Sequence, residues 1–114
     1  MSRLRSLAVF FRALGDETRL RLVALLAHGE LCVCHLQEAL GLTQPLISRH
    51  LAVLRAAGVV ADRREGSWVH YRLLPQDDPE RARVLRTLVA AFEERAGLRR
   101  GLAQVRRACG PEAR

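Results

Sequence analysis

Apolar residues recur at helical spacing along most of the chain, and glycines separate the stretches in which they do so. The first stretch spans about residues 4–14 and ends at Gly15. Its apolar positions, which share one helix face, are Leu4, Leu7, Phe11 and Leu14. Asp16 then suits the N-cap of a second helix through Ala27, because its side chain can accept hydrogen bonds from the first N–H groups. The pattern therefore predicts two consecutive helices.

Two shorter helices joined by a tight turn are predicted next. The third helix spans about Cys32–Leu40 and is ended by Gly41. The fourth spans Gln44–Ala57, with Thr43 as a candidate cap. Two short helices joined by a turn that contains glycine are typical of a helix-turn-helix, which here covers about residues 32–57.

A β-hairpin is predicted directly after the fourth helix, over about residues 59–74. In its second strand two sets of side chains alternate, with Val69, Tyr71 and Leu73 opposite Trp68, His70 and Arg72. The residues 65–67, which include Gly66, form the predicted turn. A hairpin in this position makes the helix-turn-helix a winged one.

A long apolar pattern closes the chain, over about residues 79–109. Asp78 suits its N-cap and Pro79 its first helical position, while Gly97 interrupts the pattern. The predicted fold is therefore mainly α with a β-hairpin wing. We expect residues 1–114 to form one domain, since 114 residues fall within the usual size of a domain.

The charge of the chain indicates its partner. Nineteen basic residues, all of them arginines, exceed twelve acidic residues and give a net charge of +7. Such a balance favours an anionic partner, with nucleic acid first. No apolar run approaches the ~18 residues of a membrane helix, and the short apolar stretch near the N-terminus lacks a signal-peptide cleavage site. We therefore expect a cytoplasmic protein that has no membrane partner.

Polar residues on the second helix of the motif and on the wing are candidate DNA contacts. In a helix-turn-helix, the N-terminal half of the second helix enters the major groove, while a wing lies beside the phosphate backbone. Arginine suits guanine, glutamine suits adenine, and serine suits bases or phosphates. The alternative is an ordinary solvated helix face, and His50 could also pack beneath its helix. The candidates are Gln44, Ser48, Arg49, His50, Arg63 and Arg64.

Two cysteines and a histidine form the segment with the densest chemistry. Cys32, Cys34 and His35 lie at the predicted start of the third helix, where thiolates are stabilised. Thiolates bind soft ions. Residues two apart on a regular helix point in nearly opposite directions, so we expect one ion to bind both thiols only if that turn distorts. The alternative is that the cysteines are buried core residues. Cys109 lies on the last apolar stripe, and there the sequence favours neither a ligand nor a core residue.

Four segments of the chain match one known family: LGDETRLRLVALL (14–26), ELCVCHL (30–36), LTQPLISRHLAVLRAAGVV (42–60) and DRREGSWVHYRL (62–73). In these segments the chain resembles the ArsR/SmtB family of metalloregulatory repressors, and within it the arsenic-responsive type. The resemblance implies a homodimer formed through the first and last helices, about residues 4–14 and 79–109, bound to operator DNA. It implies release when trivalent arsenic or antimony binds Cys32 and Cys34, with no organic cofactor and no enzyme activity.

The thiol segment departs from the pattern of the arsenic sensors that it resembles. Those sensors commonly have aspartate after the second cysteine and a third cysteine three residues on, where this chain has His35 and Gln37. Cys109 is the one other thiol, and it completes a three-sulfur site if the C-terminal segment of its own or the partner subunit folds back. Otherwise the site has two thiolates, which would suit a monomethylated arsenical such as methylarsenite, or a weaker response to arsenite. The long helix from Pro79 contains no histidine, which disfavours the family's interfacial zinc site.

Three other functions are compatible with the same residues. His35 could help the thiols bind a divalent soft metal such as Cd, Pb or Zn. The cysteines could instead be oxidised in steps, which would make the protein a thiol-redox-sensing repressor. A cysteine enzyme is the weakest alternative, because Cys34 and His35 are neighbours in sequence and do not face each other on a helix.

Overall fold

The computed structural model describes residues 2–93, which form five helices and three strands. The predicted fold class, mainly α with a β-hairpin wing, is confirmed. Residues 94–114 lie outside the described part, as do the predictions for Gly97 and Cys109. The elements are α1 (Arg3–Leu14), α2 (Glu17–Leu26), β1 (Leu31–Cys32), α3 (Val33–Leu40), α4 (Gln44–Ala56), β2 (Val60–Glu65), β3 (Trp68–Leu73) and α5 (Pro79–Glu93).

Local capping explains where these helices begin and end. Asp16 is the N-cap of α2, and its side chain accepts a hydrogen bond from the Arg19 N–H at 3.1 Å. Gly41 ends α3 in the left-handed conformation, with φ at 65°, and its N–H donates to the Gln37 carbonyl. Thr43 is the N-cap of α4 as predicted, but its side chain makes no capping hydrogen bond.

The predicted start of the third helix is wrong by one residue, and a strand was missed there. Cys32 has extended backbone, with φ at −79° and ψ at 161°, and α3 begins at Val33. Leu31 and Cys32 instead form β1, which pairs antiparallel with β3 through Tyr71 and His70. The sheet therefore has three strands in the order β1-β3-β2, and its hairpin of β2 and β3 is the wing.

The hairpin of β2 and β3 closes with a two-residue turn, Gly66 and Ser67, between the paired Glu65 and Trp68. Gly66 has φ at 60°, a backbone conformation that residues other than glycine rarely adopt. The predicted alternation of β3 holds only in part, because adjacent residues His70 and Tyr71 are both buried.

One hydrophobic core holds the helices and the sheet together. It draws on α1, α2, α3, α4, the sheet and α5, so that the two helices of the helix-turn-helix pack against the same interior as the wing. Within residues 2–93, no helix has the length and apolarity needed to span a membrane. The largest fully buried side chains include Phe10, Leu22, Leu25, Leu31, Leu36, Ile47, Leu51 and Leu54.

Candidate functional site

The N-terminal part of α4 presents polar side chains to solvent. Gln44 and Arg49 are exposed and Ser48 is half-buried. Gln44 and Ser48 lie one helical turn apart, and the Gln44 Nε2 donates to the Ser48 Oγ at 2.9 Å. The buried residues of α4 are Ile47, Leu51 and Leu54. Because these face the core, the helix has one anchored side and one side on which Gln44 and Arg49 are open to a ligand.

His50 lies apart from that open side. Its side chain is only 16% exposed, and its Nδ1 lies 3.1 Å from a guanidinium nitrogen of Arg19 and 3.8 Å from an Asp16 carboxylate oxygen. A guanidinium only donates, so Nδ1 is the acceptor in the contact with Arg19. Arg19 also donates to the carbonyls of Ala13 and Arg12, at 2.6 and 3.2 Å. The ring of His50 therefore contacts the junction of α1 and α2.

The wing carries two exposed arginines on β2. Arg64 pairs in register with Val69 of β3. Arg63 contacts Glu30, since its Nε and one terminal nitrogen lie 2.8 and 2.6 Å from the same carboxylate oxygen. This hydrogen bond lowers the pKa of Glu30, and it prevails over the partial burial, which acts in the opposite direction. Arg63 is thus held by Glu30, the residue that precedes β1.

The thiol segment has a geometry different from the one expected. Because Cys32 lies in extended backbone before the helix, its side chain does not point away from that of Cys34. Their Cα atoms are 5.4 Å apart, and the structure has the two sulfurs joined as a disulfide. The expectation that the turn must distort before both sulfurs reach one ion is wrong, since Cys32 does not lie in a regular helical turn.

His35 completes a compact group with the two cysteines. It occupies the third position of α3, and its Nδ1 accepts the Cys32 N–H at 3.3 Å. One ligand atom from each of Cys32, Cys34 and His35 lies within 4.8 Å of the others. Cys32 and His35 are buried and Cys34 is half-buried. When reduced, this donor set of two sulfurs and one nitrogen suits soft ions, and a third sulfur would have to come from outside residues 2–93.

Sequence reasoning missed several contacts of the predicted site, among them those made by Glu30 and Arg19. Glu30 holds Arg63, and Arg19 holds His50. The signal available for Glu30 was its position directly before the thiol segment, but nothing local indicated which arginine it would meet. For Arg19, the helical pattern placed it on α2 without indicating a contact with α4.

A helix pair with an open second helix, followed by a wing that carries exposed arginines, defines a winged helix-turn-helix DNA-binding protein. The family model of the bacterial regulatory protein, arsR family, matches residues 16–62. The chain belongs to this family, which confirms the resemblance seen in the sequence. Members are DNA-binding regulators, so the expectation that the chain is not an enzyme is also confirmed.

Several relatives are named for arsenic. The chain is 51% identical to the arsenic resistance transcriptional regulator ArsR1 of Pseudomonas putida, over 75% of the chain and 68% of the relative. It is 54% identical to the arsenical resistance operon repressor of Escherichia coli, over 66% of the chain and 65% of the relative. The chain thus spans about two thirds of the length of these curated relatives.

Solved structures of other regulators share the fold. The homodimeric winged helix-turn-helix DNA-binding domain of a possible ArsR-family regulator from Mycobacterium bovis has a TM-score of 0.65 at 31% identity, over 80% of this chain and 82% of that one. The AntR antimony-specific transcriptional repressor has a TM-score of 0.61 at 35% identity, over 77% of this chain and 78% of that one.

Proposed function

We propose that the chain is a transcriptional repressor that binds operator DNA and leaves it when trivalent arsenic or antimony binds its cysteines. The observation that carries the proposal is the meeting of Cys32 and Cys34 at the start of α3, the first helix of the DNA-reading motif. Relatives named for arsenic resistance, and a neighbour named for antimony, favour a metalloid over a divalent metal or an oxidant.

The proposed DNA surface combines the open side of α4 with the wing. Gln44, Ser48 and Arg49 meet base edges in the major groove, and Arg63 and Arg64 meet the adjacent phosphates. His50 completes the proposed set at the inner side of α4. Its contact with Arg19 gives it a second role, since it ties the recognition helix to the junction of α1 and α2.

The proposed metalloid site consists of the thiolates of Cys32 and Cys34, with Cys109 as the third sulfur. Thiolates are the ligands that soft, thiophilic ions select. Cys32 and Cys34 are within reach of each other, and Cys109 is the one cysteine left in the sequence. Trivalent arsenic or antimony acts as the inducer, and the proposal includes no organic cofactor.

The proposed assembly is a homodimer that works in the cytoplasm, where a bacterial regulator meets DNA. The M. bovis neighbour is described as homodimeric. On α1 of this chain Leu4 and Phe11 are 79% and 51% exposed, although both are large and apolar. A second copy that packs against α1 would remove them from water, which is favourable for apolar surface.

Fluorescence anisotropy of the reduced protein on its own upstream DNA tests the proposal. Arsenite is expected to release the wild type. Cys32→Ser and Cys34→Ser are expected to keep DNA binding and lose the release, because each removes a ligand that lies outside the DNA surface. Cys109→Ser is the matched variant for the third sulfur, and it is expected to weaken the response to arsenite.

Two results would contradict the proposal. If arsenite and antimonite leave the wild type on DNA while Cd²⁺ releases it, the site is one for divalent soft metals. If peroxide alone releases it and a reductant restores binding, the cysteines act as a redox sensor.

A further inference from the structure

One row of the three-stranded sheet connects the thiol site to the wing. Cys32 of β1 pairs with His70 of β3, and His70 pairs on its other side with Arg63 of β2. Neighbouring strands are about 4.8 Å apart, so Arg63 lies only two strand spacings from a proposed metalloid ligand. A displacement of β1 can therefore reach β2 of the wing through a single intervening strand, β3.

Two glutamates, Glu30 and Glu65, contact the guanidinium of Arg63. Glu30, two residues before Cys32, holds its Nε and one terminal nitrogen. Glu65, at the tip of β2, lies 3.9 Å from its other terminal nitrogen and also 3.0 Å from the Nε2 of His70. His70 is only 4% exposed, so the centre of the row is buried. The position of the Arg63 guanidinium thus depends on where β1 holds Glu30.

We propose that Glu30 is a positioning residue that orients Arg63 for its phosphate contact and relays the state of the thiol site to the wing. The inference rests on the proposed function, which it deepens by naming how the metalloid signal reaches DNA. Cys32 is one of the two residues of β1, so a metalloid that ties its sulfur to that of Cys34 fixes β1 relative to α3.

The direction of the effect follows from linkage. A metalloid weakens DNA binding only as far as it prefers a conformation that binds DNA less well. In the structure the two sulfurs are joined directly and Glu30 pairs with Arg63, so direct joining of the sulfurs leaves the pair in place. A metalloid atom between the sulfurs holds them farther apart than a direct bond does. In the proposed relay this shifts β1 and takes Glu30 out of position, so that Arg63 loses its orientation toward the phosphate. Both side chains are partly exposed, and such ion pairs add little to stability. The pair therefore acts by orienting Arg63 and not by stabilising the fold.

Glu30→Gln tests the relay, because it keeps the shape of the side chain and removes its charge. Glu17→Gln is the matched control: Glu17 is exposed on α2, pairs with Arg21 at 2.7 Å, and loses the same charge. The quantity to measure is the ratio of the DNA Kd with saturating arsenite to the Kd without it, in reducing buffer. We expect this ratio to fall about threefold or more in Glu30→Gln and to stay unchanged in Glu17→Gln.

Two further measurements separate positioning from other roles. Arsenite binding without DNA, followed by the thiolate-to-arsenic absorbance, is expected to be unchanged in Glu30→Gln. In an Arg63→Ala background, Glu30→Gln is expected to have no further effect on the ratio, because the residue that it positions is gone.

Three results would overturn the relay. One is a ratio equal to that of the wild type in Glu30→Gln. Another is a reduced ratio that arises because arsenite itself binds less tightly, and a third is an equal effect of Glu30→Gln with and without Arg63. Failure of the proposed function is seen separately, since it shows in the wild type alone as DNA binding that arsenite leaves unchanged, and the relay then falls with it.

Discussion

At the scale of single residues, Asp16 caps α2 at a point close to the recognition helix. Its carboxylate accepts the Arg19 N–H as the N-cap of α2, and it also lies 3.8 Å from the Nδ1 of His50. The backbone hydrogen bond is the main reason that the pKa of Asp16 lies below its ordinary value. Asp16 therefore stabilises the start of α2, whereas Arg19 makes the hydrogen bond to His50 of the recognition helix.

Replacing Asp16 is expected to show the capping role. Asp16→Ala should lower the free energy of unfolding by about 1 kcal/mol, and Asp16→Asn by much less, because asparagine also caps. Because folding depresses the pKa, this stabilisation is present above the ordinary carboxylate value of 3.8 and is lost as the pH falls through the folded pKa. Urea unfolding followed by circular dichroism, at one protomer concentration and several pH values, measures both effects. Equal stability of the alanine and asparagine variants would contradict the capping role.

At the scale of elements, α4 and the wing are expected to contribute differently to DNA binding. Arg49 lies on the open side of the recognition helix, whereas Arg64 lies on β2. A base contact confers specificity, whereas a phosphate contact contributes to affinity for any sequence.

Alanine variants of these two arginines separate the contributions. Arg64→Ala should weaken binding to operator and unrelated DNA alike and reduce the salt slope by about 1, while Arg49→Ala should cost about 1–3 kcal/mol on the operator and relax preference at one base pair. Anisotropy titrations over a range of salt, with operators substituted at single positions, provide the measurement. A loss in Arg64→Ala confined to one base pair would assign that residue to base reading instead.

At the scale of the whole molecule, the exposed apolar face of α1 predicts an interface. Leu4 and Phe11 lie seven residues apart, on one side of the helix, while Phe10 is fully buried. One face of α1 therefore packs on its own core, and the other is left for a second copy.

Phe11→Glu is expected to shift the protein from dimer to monomer and to weaken operator binding, since a charge would be buried in the interface. Phe11→Leu is the control, because it keeps an apolar side chain and should remain dimeric. Sedimentation velocity measures the assembly, and circular dichroism shows whether the fold is kept. A Phe11→Glu protein that sediments as the wild type does would place the interface elsewhere.

The sequence by itself determined the features that depend on near neighbours. The cap at Asp16, the left-handed end at Gly41 and the turn at Gly66 are set by the residues within one helical or hairpin turn, so their places could be read directly. The same holds for the apolar stripes, which indicated the order of the helices and the position of the wing.

The tertiary structure alone decided the features that join distant parts of the chain. Cys32 lies in a strand because it pairs with His70, a contact that no local pattern contains. The pair of Arg19 with His50 spans 31 residues, and that of Glu30 with Arg63 spans 33. Helical periodicity placed Cys32 inside a helix, but pairing with a distant strand prevailed over it, and so the two cysteines meet without any distortion of α3.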